Sequence, residues 1–220
     1  MSKTIAIIPA RGGSKRLPKK NIRLLGEIPL IVHSILYAQQ HDFISEVYVS
    51  TDNEEIKKVA LHYGAVVIDR PVNLSGDLEP TVSALKHVLE NIEEVENVIL
   101  LQATNPLRPE KMLDEAFQIF QDSNCDSLFT VSQNHHKLGK INNNTFIPFN
   151  YEIGQRSQDL EPLYFENGLL YICKSKVILN NEIITENAYP YQINHIFATV
   201  DIDTQEDFDY AAYLFNKKRE

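Results

Sequence analysis

The chain has 220 residues, 43% of them apolar, with 21 Lys and Arg against 30 Asp and Glu and a formal net charge of −9. That size supports one substantial core with at most a small appendage, and no apolar run approaches the roughly 18 residues of a membrane span or forms a secretory leader. The acidic balance argues against general nucleic-acid binding, and Cys125 and Cys173 lack any C-x-x-C partner, so both read as small buried hydrophobes in a soluble, cytoplasmic protein with no membrane partner.

In chain order, apolar runs of strand length alternate with helical patterns. Residues 4–9 read as a strand, 29–40 as a helix with Leu30, Ile31, Ser34, Ile35 and Ala38 on one face, and 44–50 as the next strand. Thr51 or Asp52 is placed to cap a helix over 53–63, Gly64 closes it, and 65–68 resumes as strand. Helix 81–92, strand 97–102, helix 109–121 with proline at its first position, and strand 127–131 follow. This alternation predicts an α/β protein with a Rossmann-like, doubly wound, mostly parallel sheet.

The pattern changes near Lys137. Asn142, Asn143 and Asn144 interrupt it, and a loop-rich stretch leads to a strand over 169–173. Residues 137–166 read as a hairpin arm inserted into a single domain spanning 1–220. Its apolar and aromatic side chains, Phe146, Ile147, Phe149 and Tyr151, predict a partner subunit that covers them. Residues 194–200 read as a final strand and 205–217 as a terminal helix.

Two places carry chemistry. The first is the loop after the opening strand, where six basic residues lie from Arg11 through Arg23 and no acid appears before Glu27. Like charges held together repel unless an anion joins them, and Gly12 and Gly13 permit positive φ and close approach of main-chain N–H groups to oxygens. The loop reads as a polyphosphate cradle; the competing reading is a solvated basic loop that ends a strand. It matches neither G-x-x-x-x-G-K-[ST] nor G-x-G-x-x-G.

The second is Asp201-Ile202-Asp203, after the predicted last strand. Side chains two apart on a strand share a face, and two hard carboxylates suit Mg²⁺. For Asp203 the rival role is a helix cap, shared with Thr204, because Gln205, Glu206 and Asp207 follow. Gln102, Asn167-Gly168 and Tyr171 each have an ordinary structural alternative: backbone satisfaction, a turn and a buried hydroxyl. Arg156 offers a fork that matches a carboxylate, and His135-His136 reads as loop.

The succession of I-I-P-A-R-G-G-S-K-R-L-P-K-K-N-I from Ile7, R-P at Arg70, L-Q-A-T-N-P-L-R from Leu101, R-S-Q-D from Arg156, N-G-L-L-Y-I from Asn167 and D-I-D-T from Asp201 resembles the cytidylyltransferases that activate sialic and related nonulosonic acids. The resemblance implies transfer of CMP from CTP to the anomeric hydroxyl of such an acid, with pyrophosphate released and Mg²⁺ as cofactor. It places Arg11, Gly12, Gly13, Ser14, Lys15, Lys20, Asn21, Arg70 and Thr81 on the nucleotide. Gln102, Arg156, Asn167, Gly168 and Tyr171 fall on the acid, Asp201 and Asp203 on the metal, and Asp201, Lys20 and Arg11 in catalysis. Leu78-Glu79-Pro80-Thr81 departs from the smaller residues and serine usual there. The resemblance also implies a homodimer whose arm reaches the neighbouring site, and an N-acylneuraminate or legionaminate acceptor. The rivals are a sugar-phosphate nucleotidyltransferase, a glycosyltransferase using Asp201-Ile202-Asp203 as D-x-D, and a noncatalytic nucleotide-binding module.

Overall fold

A computed structural model describes residues 3–219, with side chains through residue 217. The first strand, β1 (Lys3–Pro9), is apolar on both faces: Ile5 and Ile7 enter one cluster, Ala6 and Ile8 the other. A strand buried on both sides belongs at the centre of a parallel sheet. It pairs in parallel with β4 (Glu46–Thr51) and β6 (Val95–Leu100), and β4 pairs in parallel with β5 (Val66–Asp69). Beyond β6 come β10 (Leu163–Lys174), β7 (Ser127–Asn134) and β11 (Tyr189–Gln192), giving the order β11-β7-β10-β6-β1-β4-β5. Among the described residues, β10 is the one strand of this sheet that runs antiparallel to its neighbours.

Helices cover both faces. On one face, α1 (Leu30–Gln39), α2 (Glu54–His62) and α4 (Met112–Asp122) contribute Ile31, Ile35, Ile56, Ala60, Leu113 and Phe117. On the other, α3 (Thr81–Leu89) and α5 (Ser175–Leu179) bring Leu85, Val88, Val177 and Ile178 against Ile5 and Ile7. Strand order reverses between β1 and β6, and the carboxyl ends of strands flanking such a reversal are where open α/β sheets hold ligands. There the chain leaves β1 for the basic loop and β6 for Gln102.

A third cluster decides the site. Leu17, buried in the middle of the basic loop, packs with Leu25, Leu30, Leu107, Val200, Ile202 and, from α6 (Gln205–Arg219), Phe208 and Leu214. Burial of these apolar groups, each contributing about 1.5–3 kcal/mol, draws residues 10–23 and 200–203 together from opposite ends of the sequence. Leu25 lies in a small hairpin, β2 (Leu24–Leu25) with β3 (Ile28–Pro29), which the sequence pattern did not show. Its Gly26 sits at φ +66°, and a Cβ there would meet the Phe215 ring at 2.4 Å.

The predicted parallel α/β architecture is therefore present, with corrections at its ends. Residues 194–200 form no strand: Ile196–Thr199 is a 3-10 turn whose first free N–H, at Phe197, is accepted by the His195 ring. The edge strand is β11 instead, where Pro190 is tolerated because an edge needs fewer donors. The cap of α2 is neither Thr51 nor Asp52 but Asn53, whose side chain accepts from the Glu55 and Ile56 N–H groups. Strand β10 starts at Leu163, earlier than the predicted 169, so residues 163–166 pair in the main sheet. The arm carries a hairpin, β8 (Gly139–Asn142) with β9 (Thr145–Pro148), turning at Asn143 and Asn144, both at positive φ. Cys125 and Cys173 are buried and free, and no described helix is long and apolar enough to cross a membrane.

Candidate active site

A cleft of about 420 Å³ lies at the strand-order reversal. Arg11, Ser14, Lys15, Arg16, Lys20 and Asn21 line it from the basic loop, Arg70 and Thr81 from the β5–α3 side, Gln102 and Thr104 from beyond β6, and Asp203 from the carboxyl-terminal segment. Nine of the residues assigned from sequence thus face one space. Lys20, only 9% exposed, joins the two chemical constellations: its Nζ donates to the Ile202 carbonyl (2.7 Å) and to Asp203 Oδ1 (2.9 Å). Arg16 also pairs with Asp203.

The glycines act differently from expectation. Neither Gly12 nor Gly13 adopts positive φ; in this loop that conformation falls on Lys19, at 56°. The Gly12 N–H donates to Asp52 Oδ1 (2.8 Å), so it supplies no donor to the cleft, and a Cβ on Gly12 would lie 2.8 Å from Asn53. Close approach to the α2 cap, rather than phosphate contact, requires glycine at 12. Gly13 has open space around it. Asn21 braces the loop by donating from Nδ2 to the Arg11 carbonyl (3.0 Å).

Sequence reasoning missed Asp77. It lines the cleft, accepts from Arg11 Nη1 (2.7 Å) and pairs with Lys15. These two cations, Lys15 foremost, hold its carboxyl below the ordinary range. A carboxylate of this chain therefore sits on the cations assigned to phosphate. Arg70 is buried, donating to the Ser50 hydroxyl and carbonyl; its desolvation lowers its pKa, with the charges of Asp52 and Arg11 acting in opposite senses.

Thr204 and Asp207 cap α6 as a reciprocal pair, Asp207 Oδ2 accepting from the Thr204 N–H and Thr204 Oγ1 from the Asp207 N–H. Asp203 is thereby left to Lys20 and Arg16 rather than to the helix. Asp201 is exposed as a residue, yet desolvation raises its carboxyl pKa; the Thr104 side-chain hydrogen bond opposes this, and the charge of Asp203 adds to it. Asp203 lines the cleft and Asp201 does not, but the two are near enough for Asp201 to feel the charge of Asp203, and such a pair fits a divalent ion, which commonly takes one or two carboxylates plus substrate phosphates. No cluster of three His, Cys, Asp or Glu ligands exists among the described residues.

Gln102 at the cleft, and Asn167 and Gly168 beside it, are held by buried polar groups the sequence did not single out, while Tyr171, also beside it, bonds to Glu166. Asn105 Nδ2 donates to the Val200 carbonyl (2.7 Å) and, more weakly, to that of Asn167 (3.4 Å). Arg108, 4% exposed, donates to the carbonyls of Leu169 and Gln102 and to the Ser34 hydroxyl, each at 2.9 Å. Burial lowers its pKa to about 10. The signal for both was their place in the L-Q-A-T-N-P-L-R run. Asn167 accepts from Thr130 (2.6 Å) and donates to Ser132 (2.9 Å), so its side chain builds the wall. Gly168 sits at φ +74°, with a hypothetical Cβ 3.2 Å from Asn105 Oδ1. Arg156 is not brought to this cleft: it stays in the arm, its fork on Asp159.

A family model described as cytidylyltransferase matches residues 5–219. The chain belongs to that family. It is 34% identical over 216 residues to an N-acylneuraminate cytidylyltransferase of Streptococcus agalactiae, covering 94% of this chain and 52% of that one. It is thus about half the length of the streptococcal relatives. It is 33% identical over 229 residues to a pseudaminic acid cytidylyltransferase of Campylobacter jejuni (99% and 98% covered) and 33% over 230 residues to a CMP-N,N'-diacetyllegionaminic acid synthase of Legionella pneumophila (98% and 97%). A solved CMP:2-keto-3-deoxy-manno-octonic acid synthetase complexed with CTP superposes with a TM-score of 0.76 at 19% identity, over 99% of this chain and all of that one, a likeness of fold.

Proposed function

We propose that this family member transfers CMP from CTP to the anomeric hydroxyl of a nonulosonic acid. The observation that carries the reading is the meeting of the cationic loop and the Asp201–Asp203 segment across Lys20, since phosphoryl transfer needs cations and carboxylates around one phosphate chain. Arg11, Lys15 and Lys20 bind the β- and γ-phosphates, exchanging Asp77 and Asp203 for phosphate oxygens. Arg70 and Thr81, at the start of α3, hold the nucleoside. The acceptor's anomeric oxygen attacks the α-phosphorus in line; the bond from that phosphorus to the bridging oxygen breaks, pyrophosphate leaves, and the hydroxyl proton is lost.

Positioning and neutralisation supply most of the acceleration, and no covalent protein intermediate is required. Asp201 and Asp203 are the residues that would hold Mg²⁺. When bound there, such an ion neutralises triphosphate charge and eases deprotonation of a hydroxyl. Asp201, whose carboxyl desolvation pushes above its ordinary range, is also the residue we assign to accept the hydroxyl proton.

The arm fits a homodimer. Ile141 and Phe149 are 78% and 67% exposed, and Phe146 and Ile147 lie beside them, an apolar surface suited to a second copy. Arg156 is carried by the same arm, so its reach to an acid is into the partner's cleft or after release from Asp159. We favour an N-acylneuraminate or legionaminate acceptor, and a cytoplasmic setting where CTP is available. A matrix of CTP, UTP and GTP against neuraminic, legionaminic and pseudaminic acids and the eight-carbon keto-deoxy acid, scored for pyrophosphate, tests the reading. Release is expected with CTP and a nine-carbon acid; nucleotide binding without release in every well contradicts it.

A further inference from the structure

Strand β10 breaks register where it passes the cleft. Glu166 pairs with Val131 and Tyr171 with Phe129, so five steps on β10 match two on β7. In a regular strand, residues five apart point to opposite faces. The irregularity at Asn167 and Gly168 restores them to one face, and the Tyr171 hydroxyl donates to Glu166 Oε1. Tyr171 is also hydrogen-bonded to the Gln102 side chain and feels the charge of Asp201. Glu166 is thereby linked through Tyr171 to Gln102, which lines the cleft, although no motif marked it.

Its surroundings define what it recognises. Glu166 is exposed, and no cation among the described residues pairs with it; its hydrogen bond is to a neutral phenol. Arg16 and Lys20 are spent on Asp203, and Arg108 is buried behind the wall on carbonyl oxygens. An uncompensated carboxylate on an accessible wall repels an anionic group and attracts an O–H or N–H donor, with charge-assisted strength. Asn167 and Asn105 have their amides committed to the protein, so they do not offer an equivalent acceptor.

We infer that Glu166, positioned by Tyr171, is a specificity-determining residue that selects acceptors presenting a hydroxyl or acylamino N–H to this wall and turns the acceptor's own carboxylate away from it. The inference rests on the cytidylyltransferase reading above and deepens it. It is tested by steady-state kinetics of wild type, Glu166→Gln, Glu166→Ala and Tyr171→Phe with CTP and either N-acetylneuraminic or N,N'-diacetyllegionaminic acid, each beside its singly deoxygenated analogues. Loss of one charge-assisted hydrogen bond raises the acceptor KM about tenfold, with the CTP KM unchanged, and one deoxygenated analogue that wild type disfavours is used equally well by Glu166→Gln. Tyr171→Phe shifts the acceptor KM in the same direction. An unchanged acceptor KM in both Glu166 variants, or equal rises for CTP and acceptor, overturns the Glu166 assignment alone. Absence of pyrophosphate release by wild type with either acid overturns the parent reading and this assignment with it.

Discussion

The two halves of the cleft are held by different forces. On the proposed nucleotide side, Arg11, Lys15 and Arg16 are paired with Asp77 and Asp203, ion pairs at a partly exposed surface that exchange readily for other anions, while Lys20 joins Asp203 from a buried position. On the proposed acceptor side, beside the cleft, Asn105, Arg108 and Asn167 make buried hydrogen bonds that are costly to leave unmade. An exchangeable half suits a ligand whose triphosphate is shared by many nucleotides. A fixed half suits the proposed discrimination among sugar acids that differ by small substituents.

The sharpest way to break this contrast is at the junction. Asp201→Asn is expected to lower kcat by about 100-fold or more while CTP still binds, as read by single-turnover kinetics and titration calorimetry; near-normal turnover contradicts its role. Next comes Arg108→Ala, which strips donors from two carbonyls and a hydroxyl in the buried wall and is expected to cost about 3–5 kcal/mol in denaturant unfolding. A loss below about 1 kcal/mol would mean that the acceptor wall is no more fixed than the nucleotide loop.

How far these features were legible in sequence follows the same division. The alternation of apolar runs carried the parallel sheet, and the density of positive charge from Arg11 to Arg23 marked the nucleotide loop, because both are local signals. What escaped depends on contacts distant in sequence. The apolar run at 194–200 spends Phe197 and Val200 on the cluster with α6 rather than on a ladder, while Pro190 disguised β11. Asp77 reads as an ordinary loop acid until Arg11 and Lys15 fold onto it, and Glu166 is invisible until β10 shifts register. Asp203 looked equally able to cap α6; the Thr204–Asp207 pair took that task.

Gly168→Ala sharpens the comparison at smaller scale. Positive φ and the close approach to Asn105 are expected to cost about 1–2 kcal/mol and to raise the acceptor KM selectively. Equal KM changes for both substrates would blur the two halves. The smallest effect is expected from Asp77→Asn, which frees Arg11 and Lys15 and tightens CTP binding by about two- to fivefold. Because the folded-state value of Asp77 is depressed, its stabilising contribution is present above the ordinary carboxyl range and lost as pH falls through the folded value. Any stability difference between wild type and Asp77→Asn is accordingly expected at neutral pH and absent in strong acid, as thermal melts across pH will show.

The most direct measurement is a crystal structure with bound CTP. The account predicts the β- and γ-phosphates against Arg11, Lys15 and Lys20, with Asp77 displaced, the α-phosphate toward Asp201 and Asp203, and the cytidine between Arg70 and the start of α3. A triphosphate seated away from the Asp201–Asp203 segment, with Asp77 still on Arg11 and Lys15, would contradict it.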